Sequence, residues 1–450
     1  MKRILLCVLI LSIKLFAQEI KVIQLINADS LVGSVIENEN VRILYGNVTL
    51  QHEDILIICD RAIQYIQSNK VELDGNIKLS QGNLNLTTNK GYYFGKTKTA
   101  LGLRGIILND GKVTLKADSG KYFFNEKKAS FNGHVNLFDD TTYVTSDNLI
   151  YFTTDEHAIA ISNVRIQQFD NKINSDTLNF YRRKNFSISQ GNVLAINEKD
   201  NISIYSDYLE NDGKKRYSLV KGKPLFVQID TTEENKIDTL IISASIMEAF
   251  RDTGEIYIAY DSVKLWRGEF SALCPYANYD KAKGYIYSSR TDEFKPFLWY
   301  NEHQAFSDSI QIKVTNNKIE HTKLFNNAFL IAQDTINPLR FNQMNGNFIQ
   351  LDFKDNKISE VKIIGNSLGI YFLYDENQPN GVNKVSSEQA NILFEENKIS
   401  QIKLIGKPEG EYHPEEKIIN REKDFLLNGF IWTTYRPSKK ELLMVRNLFE

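Results

Sequence analysis

Proline, cysteine and histidine are scarce in this chain, and each scarcity removes a class of protein. Eight prolines in 450 residues leave nearly every backbone amide able to donate, as long β-ladders require. Three cysteines, Cys7, Cys59 and Cys274, are too few for a disulfide scaffold. Cys59 and Cys274 fall at small, inward positions of apolar strands and read as core thiols rather than nucleophiles. The six histidines, at positions 52, 134, 157, 303, 321 and 413, show no His-x-x-x-His or carboxylate spacing of a metal site. A Gly-x-Ser-x-Gly elbow, a phosphate loop and a Cys-His partnership are missing as well. No catalytic residue, metal or other cofactor is assigned, and the chain reads as a non-enzyme. Positive charge is not in excess either. With 54 Lys and Arg against 56 Asp and Glu, a formal net charge of −2, there is no electrostatic footprint for nucleic acid.

Long apolar runs are lacking beyond the opening "MKRILLCVLILSIKLFAQEI". That segment has a basic start, an apolar run broken by Lys14 and a small residue at Ala17, which reads as a secretory signal peptide over residues 1–17, cleaved near Ala17. The run is short for a bilayer span, and Cys7 sits inside it rather than at its cleavage edge. An exported protein is expected, and 42% hydrophobic residues with 11% aromatic ones are enough to bury a large core.

What the sequence has in abundance is repetition. The phrase Gly-Asn-Val-Thr-Leu at Gly46 returns as Gly-Asn-Ile-Lys-Leu at Gly75, "GHVNL" at Gly133, "SNVRI" at Ser162 and "GNVLA" at Gly191. A second anchor, "ICDRAIQY", aligns with "TTNKGYYF", "KADSGKYFF", "TSDNLIYF", "NSDTLNFY" and "YSDYLEND". Its Asp or Asn falls at residues 60, 89, 118, 147, 176 and 207, a period of about 29 residues. A fixed period of this length marks a stacked repeat architecture.

Within each repeat the period is two, the mark of half-buried strands. Counting back from the anchor gives Cys59, Ile57 and Ile55, then Thr88, Leu86 and Leu84, then Ala117, Leu115 and Val113, and later Ser175, Ile173 and Asn171. The Gly-Asn-Val phrase alternates likewise, with Val48 and Leu50, Ile77 and Leu79, and Val135 and Leu137 on one side, and Val144, Val164 and Ile166 continue the set. These residues point inward, either to fill a closed core or to line an open apolar trough. Asp60, Asp118, Asp147, Asp176 and Asp207 read as corner residues whose carboxylates fold back on the following backbone. The basic turns "YRRKNF" and "GKKRY" are solvated corners or a rim able to meet phosphates.

After Asp230 the repeat continues with steps of about forty residues, in "AYDSVKLW", "GNFIQLDFKDNKISEVKIIGNSLGIYF" and "SEQANILFEENKISQIKLIGKPEGEY". The polar stretch from Asp230 to Asp238 is the expected seam. The organisation is therefore a tight array over 28–230, a wider-spaced array over 239–412 and a tail over 414–450, read as a short helix or a frayed end. The class is all-β, a stack of rungs in which each unit buries its inner face on its neighbours.

The units "GNVTLQHEDILIICDRAIQY", "GHVNLFDDTTYVTSDNLIYF" and "GNVLAINEKDNISIYSDYLE" resemble the organic-solvent-tolerance (OstA-like) repeats of the LptA-like family of lipopolysaccharide-transport bridges. The resemblance is close over 28–230 and looser over 240–412. It implies an open, V-shaped β-jellyroll stacked end to end, a periplasmic location, and a role in carrying lipopolysaccharide toward the outer membrane with lipid A chains in the cleft. Implied partners are jellyroll-containing transport proteins of the inner and outer membranes, or copies joined head to tail. The first repeat, Val41 to Leu50, offers an edge for them, and "KPEGEY" with the tail could cap the last rung. Length and the wide-spaced second half depart from the family pattern. The rival reading is a secreted structural or carbohydrate-active β-helix, a lyase or an adhesin.

Overall fold

A computed structural model describes residues 21–231, 237–252, 254–315, 318–354, 357–395 and 398–448. The signal-peptide reading and Cys7 lie outside these residues. The described chain forms thirty-two β-strands, three short 3-10 turns and one helix, Lys439–Met444, and its strand pairings are antiparallel. It is the stacked jellyroll that the repeat predicts. The chain divides into two compact units, one of residues up to 140 with 146–154, the other of 141–145 with 155–450.

The repeat phrase builds a bulged corner. Glu39–His52 pairs with Ile55–Tyr65 through Tyr45 with Arg61 and then Val48 with Cys59. Gly46 and Asn47 thus face the single residue Asp60, two against one, which bends the strand. At the next corner Gly75 has φ 74° and Asn76 φ 44°, and a Cβ on Gly75 would sit 2.4 Å from Asp60 Oδ2. Only glycine fits there. Asn76 Nδ2 donates to Asp60 Oδ2 at 2.8 Å, and Asn192 to Asp176 at 2.9 Å. Asp60 and Asp176 are thus corner residues that each accept from the side-chain amide of the next strand's asparagine.

One corner carries a histidine instead. His134 Nδ1 bonds Asp118 Oδ2 at 2.7 Å, and that hydrogen bond, with the charge behind it, raises the imidazole pKa. A raised folded-state value means the stabilisation is complete below the unfolded pKa of about 6.5 and fades as pH climbs through the higher folded value. The pair is exposed, so the effect is small. Between about pH 5 and 9 the melting temperature should fall more for the parent than for His134→Asn, whose amide does not titrate; parallel melting curves would refute the pairing.

In the second unit Leu225–Thr231 pairs with Ile237–Ser243, on either side of the seam expected at Asp230–Asp238, of which residues 232–236 lie outside the described residues. The division into compact units falls around 141–155. Wider spacing afterwards reflects longer strands, such as Lys357–Asp375 and Gln378–Glu395. "KPEGEY" is not a cap: most of it is the last strand, Glu409–His413.

The tail does not fray, and its Phe425 ring packs edge to face on His413 of that strand, centroids 5.2 Å apart. From Glu415 it runs back along the outer face of the second unit. Ile418 and Leu427 are buried, and with Phe425, Phe430 and Trp432 they pack on a cluster containing Phe306, Phe329, Ile331, Ile370 and Phe372. The side chain of Gln343 donates to Phe425 O and accepts from Leu427 N, both at 2.9 Å. Gln304 does the same for Ile431 O at 2.6 Å and Thr433 N at 3.1 Å. Leu442, in the final helix, packs on Leu225 and Ile241, and Arg446 Nη1 reaches Asp207 Oδ1 at 2.6 Å.

The N-terminal edge also differs from expectation. Val41–Leu50 lies inside the sheet, paired with Ser30–Ile36 and Gln24–Asn27 on one side and Ile55–Tyr65 on the other. Among the described residues the outermost strands on this side are Gln24–Asn27 and Ser30–Ile36, the latter with Leu31, Val32 and Val35 exposed.

Candidate functional site

The long strands pass through a corner, and shorter ones end there, so the two halves of each rung lie in two layers whose inner faces oppose each other. In the first unit the inner row Leu50, Ile57, Leu79, Leu86, Leu108, Leu115 and Leu137 runs continuously, each residue paired in register with the next. All seven are buried. The opposite layer fills the space above them with Tyr93, Tyr122, Phe124 and Phe131, also buried. Rings meet edge to face at Tyr93–Phe124 and Tyr122–Phe124.

Polar clasps then join the layers. His52 Nδ1 bonds Tyr93 OH at 2.7 Å, and Tyr151 OH donates to Asp110 Oδ2 at 2.9 Å. Buried phenols need such partners. Tyr93, Tyr122 and Tyr151 each stand four residues after the corner residue, at Asn89, Asp118 and Asp147. That spacing was visible in the sequence and is what closes the interior.

In the second unit the residues at this offset are Phe180 and Asn211, and the inner face changes character. The row Ile166, Ile173, Ala195, Ile204, Phe226, Ile242 and Leu265 is again continuous in register, yet every member is only half-buried. The floor beneath is apolar, with Val193, Leu209 and Val220 buried and Met247, Ile173, Ala195 and Ile204 packed against them. Further along, the second unit narrows to a slot between Phe270, Leu298, Thr322 and Leu351, across which the rings of Tyr300 and Phe353 meet edge to face, centroids 5.8 Å apart.

The sixteen inward residues singled out in the sequence divide into buried and half-buried ones. The change comes just inside the second unit, to which the buried Val144 and Val164 already belong. Val48, Leu50, Ile55, Ile57, Ile77, Leu79, Leu84, Leu86, Val113, Leu115, Val135, Leu137, Val144 and Val164 are buried, whereas Ile166 and Ile173 are half-exposed at the start of the uncovered row. Ala195, Ile204, Phe226, Ile242 and Leu265 were not singled out. Counting back from Asp207 reaches Ile204 by the same rule that found Ile57 and Ile173.

The remaining chemistry is dispersed. Burial pushes the thiols of Cys59 and Cys274 up to about 12, so neither is a ready nucleophile. Among the described residues no group of three His, Cys, Asp or Glu gathers as a metal site, and no helix is long and apolar enough to cross a membrane. Of the basic turns, Arg182 and Arg183 are held by the buried Glu156 at 3.0 and 3.3 Å, and Lys215 by Asp212 at 3.2 Å.

Comparison with known proteins adds two findings. A crystal structure of LptH from Pseudomonas aeruginosa, described as the LptA homologous periplasmic component of the conserved lipopolysaccharide transport device, aligns with 27% of this chain and 82% of its own, at 11% identity and a TM-score of 0.23. No curated protein matches. Residues 20–176 match the family described as OstA-like protein.

Proposed function

We propose that the protein is a non-enzymatic, periplasmic carrier or bridge for lipopolysaccharide, and that acyl chains of lipid A lie along the row from Ile166 to Leu265. The observation that carries this reading is an apolar inner row, continuous over seven strands, that stays half-exposed while the equivalent row from Leu50 to Leu137 is sealed. Six inter-strand steps of about 4.8 Å make a trough of roughly 29 Å. Burying a dozen methylenes there is worth on the order of 10 kcal/mol before the costs of association. The OstA-like segment supports the assignment to envelope lipid transport.

Partners follow from the edges. Ser30–Ile36 is paired on one face only among the described residues, and at the far end Lys398–Ile405 exposes Ile399, Ile402 and Ile405. Unpaired edges recruit strands, so a jellyroll of the inner membrane at the first edge and one of the outer membrane at the second, or further copies head to tail, fit this reading.

The test uses a photo-crosslinking residue placed at Ile204, Phe226 or Leu115 in cells making lipopolysaccharide. Adducts are expected at the first two positions and not at the third. Ile204→Asp should stay folded and melt only modestly below the parent, since Ile204 is half-buried against Val193, Leu209 and Val220 and the new carboxylate keeps part of its water. It should yet lose adducts at Phe226 at least tenfold, because a seated chain strips that water at a cost of several kcal/mol. Undiminished adducts in the folded variant would overturn the trough.

A further inference from the structure

The second unit holds an inner-face cation that the trough alone does not explain. Arg251 stands two residues beyond Ala249 and four beyond Met247, on the side of its strand that faces the opposite layer, and it is half-buried. Its Nη2 donates to Ser218 Oγ at 2.8 Å and Asn211 Oδ1 at 3.3 Å, two inner-face neighbours joined by their own 2.8 Å bond. Both acceptors are neutral. A guanidinium carries five N–H groups in a fixed fork, so the donors on Nε and Nη1 remain for something else.

The surrounding charges do not neutralise it. Arg216, from the "GKKRY" turn, is a like charge, and its carbonyl accepts Arg251 N at 3.0 Å. Glu255 is the acid that acts on Arg251, and it is itself held by Lys281 at 3.0 Å. Glu248, on the same strand, points to the other face, where Tyr217 OH donates to it at 2.5 Å. Burial lowers the guanidinium pKa, which marks the cost of leaving this charge unpaired in a partly dry site. Charge, dehydration and a spare donor fork at the margin of an apolar trough together describe one end of an amphiphile site.

We propose that Arg251 binds the anionic group, carboxylate or phosphate, of the amphiphile whose chain occupies the trough, with Asn211 and Ser218 as the residues that aim it. This rests on the trough reading above and specifies which amphiphiles it takes. A planar fork suits either oxyanion bidentately.

The experiment displaces a fluorescent apolar probe from the full chain with dodecyl phosphate, laurate or the uncharged dodecyl maltoside. The parent should prefer both anions to the maltoside. Arg251→Gln should bind the anions about tenfold more weakly, the loss of one charge-assisted bond, with maltoside affinity unchanged, and Arg251→Lys should recover part of the loss. A loss confined to the phosphate assigns a phosphate headgroup, and a loss confined to laurate a carboxylate. Unchanged anion affinity in Arg251→Gln, or an equal loss for the maltoside, overturns the assignment while leaving the trough intact. A parent that displaces the probe with none of the three overturns the trough as well.

Discussion

Ile57→Asp is expected to unfold the first unit. Ile57 is fully buried and paired between Leu50 and Leu79 in the sealed row. Burying an unpaired acid costs several kcal/mol, whether it is held charged or forced to protonate, and that is a large share of a domain's usual 5–15 kcal/mol. Limited proteolysis should cut residues 21–154 rapidly in this variant and slowly in the parent, and a melting transition should be lost or shifted down by roughly ten degrees or more. The contrast with Ile204→Asp carries the argument. The two residues occupy the same count-back position before Asp60 and Asp207, so a cleft open along its whole length would make both variants fold and both bind poorly. If Ile57→Asp melts with the parent, the first unit is open and the line drawn between sealed and uncovered rows is wrong.

That line shows how far the sequence could be read. Strand period, corner residues and the inward set followed from local chemistry, because alternation and Gly-Asn corners act over two to five residues. Whether an inward residue is sealed or uncovered depends on the opposite layer. Ile57 and Ile204 look alike in their own strands and differ because, four residues after the corners, one unit has the buried Gln64 and then Tyr93, Tyr122 and Tyr151, while Phe180 and Asn211 stand there in the other. Arg251 was not singled out for a similar reason: its acceptors Asn211 and Ser218 come from strands 40 and 33 residues away. The edge strand Ser30–Ile36 was hidden by its neighbour, since both alternate and only pairing shows which lies outside. The tail was least legible of all. Ile418, Phe425, Leu427, Phe430 and Trp432 follow no period, and Gln304 meets Ile431 at a separation of 127 residues.

Removal of the tail is the second change with a large expected effect. A chain ending at His413 keeps every strand but uncovers the outer-face cluster of Phe306, Phe329, Ile331, Ile370, Phe372 and Val382, along with Leu225 and Ile241 under the final helix. Burying one such side chain is worth about 1.5–3 kcal/mol. Arg340, 2% exposed and paired with Glu415 Oε1 at 2.5 Å, loses its counter-charge as well. Gln304 and Gln343 lose the backbone groups they hold from outside the ladder. A contiguous apolar face of this kind drives association, so the truncated chain is expected to aggregate on expression, or to bind a hydrophobic dye strongly and melt well below the full chain. Had the tail been a frayed end, its loss would change nothing. A truncated chain that stays monomeric and melts with the parent would therefore return the tail to that reading, and the outer-face packing would no longer account for how the long strands after Asp238 are held against the rungs before it.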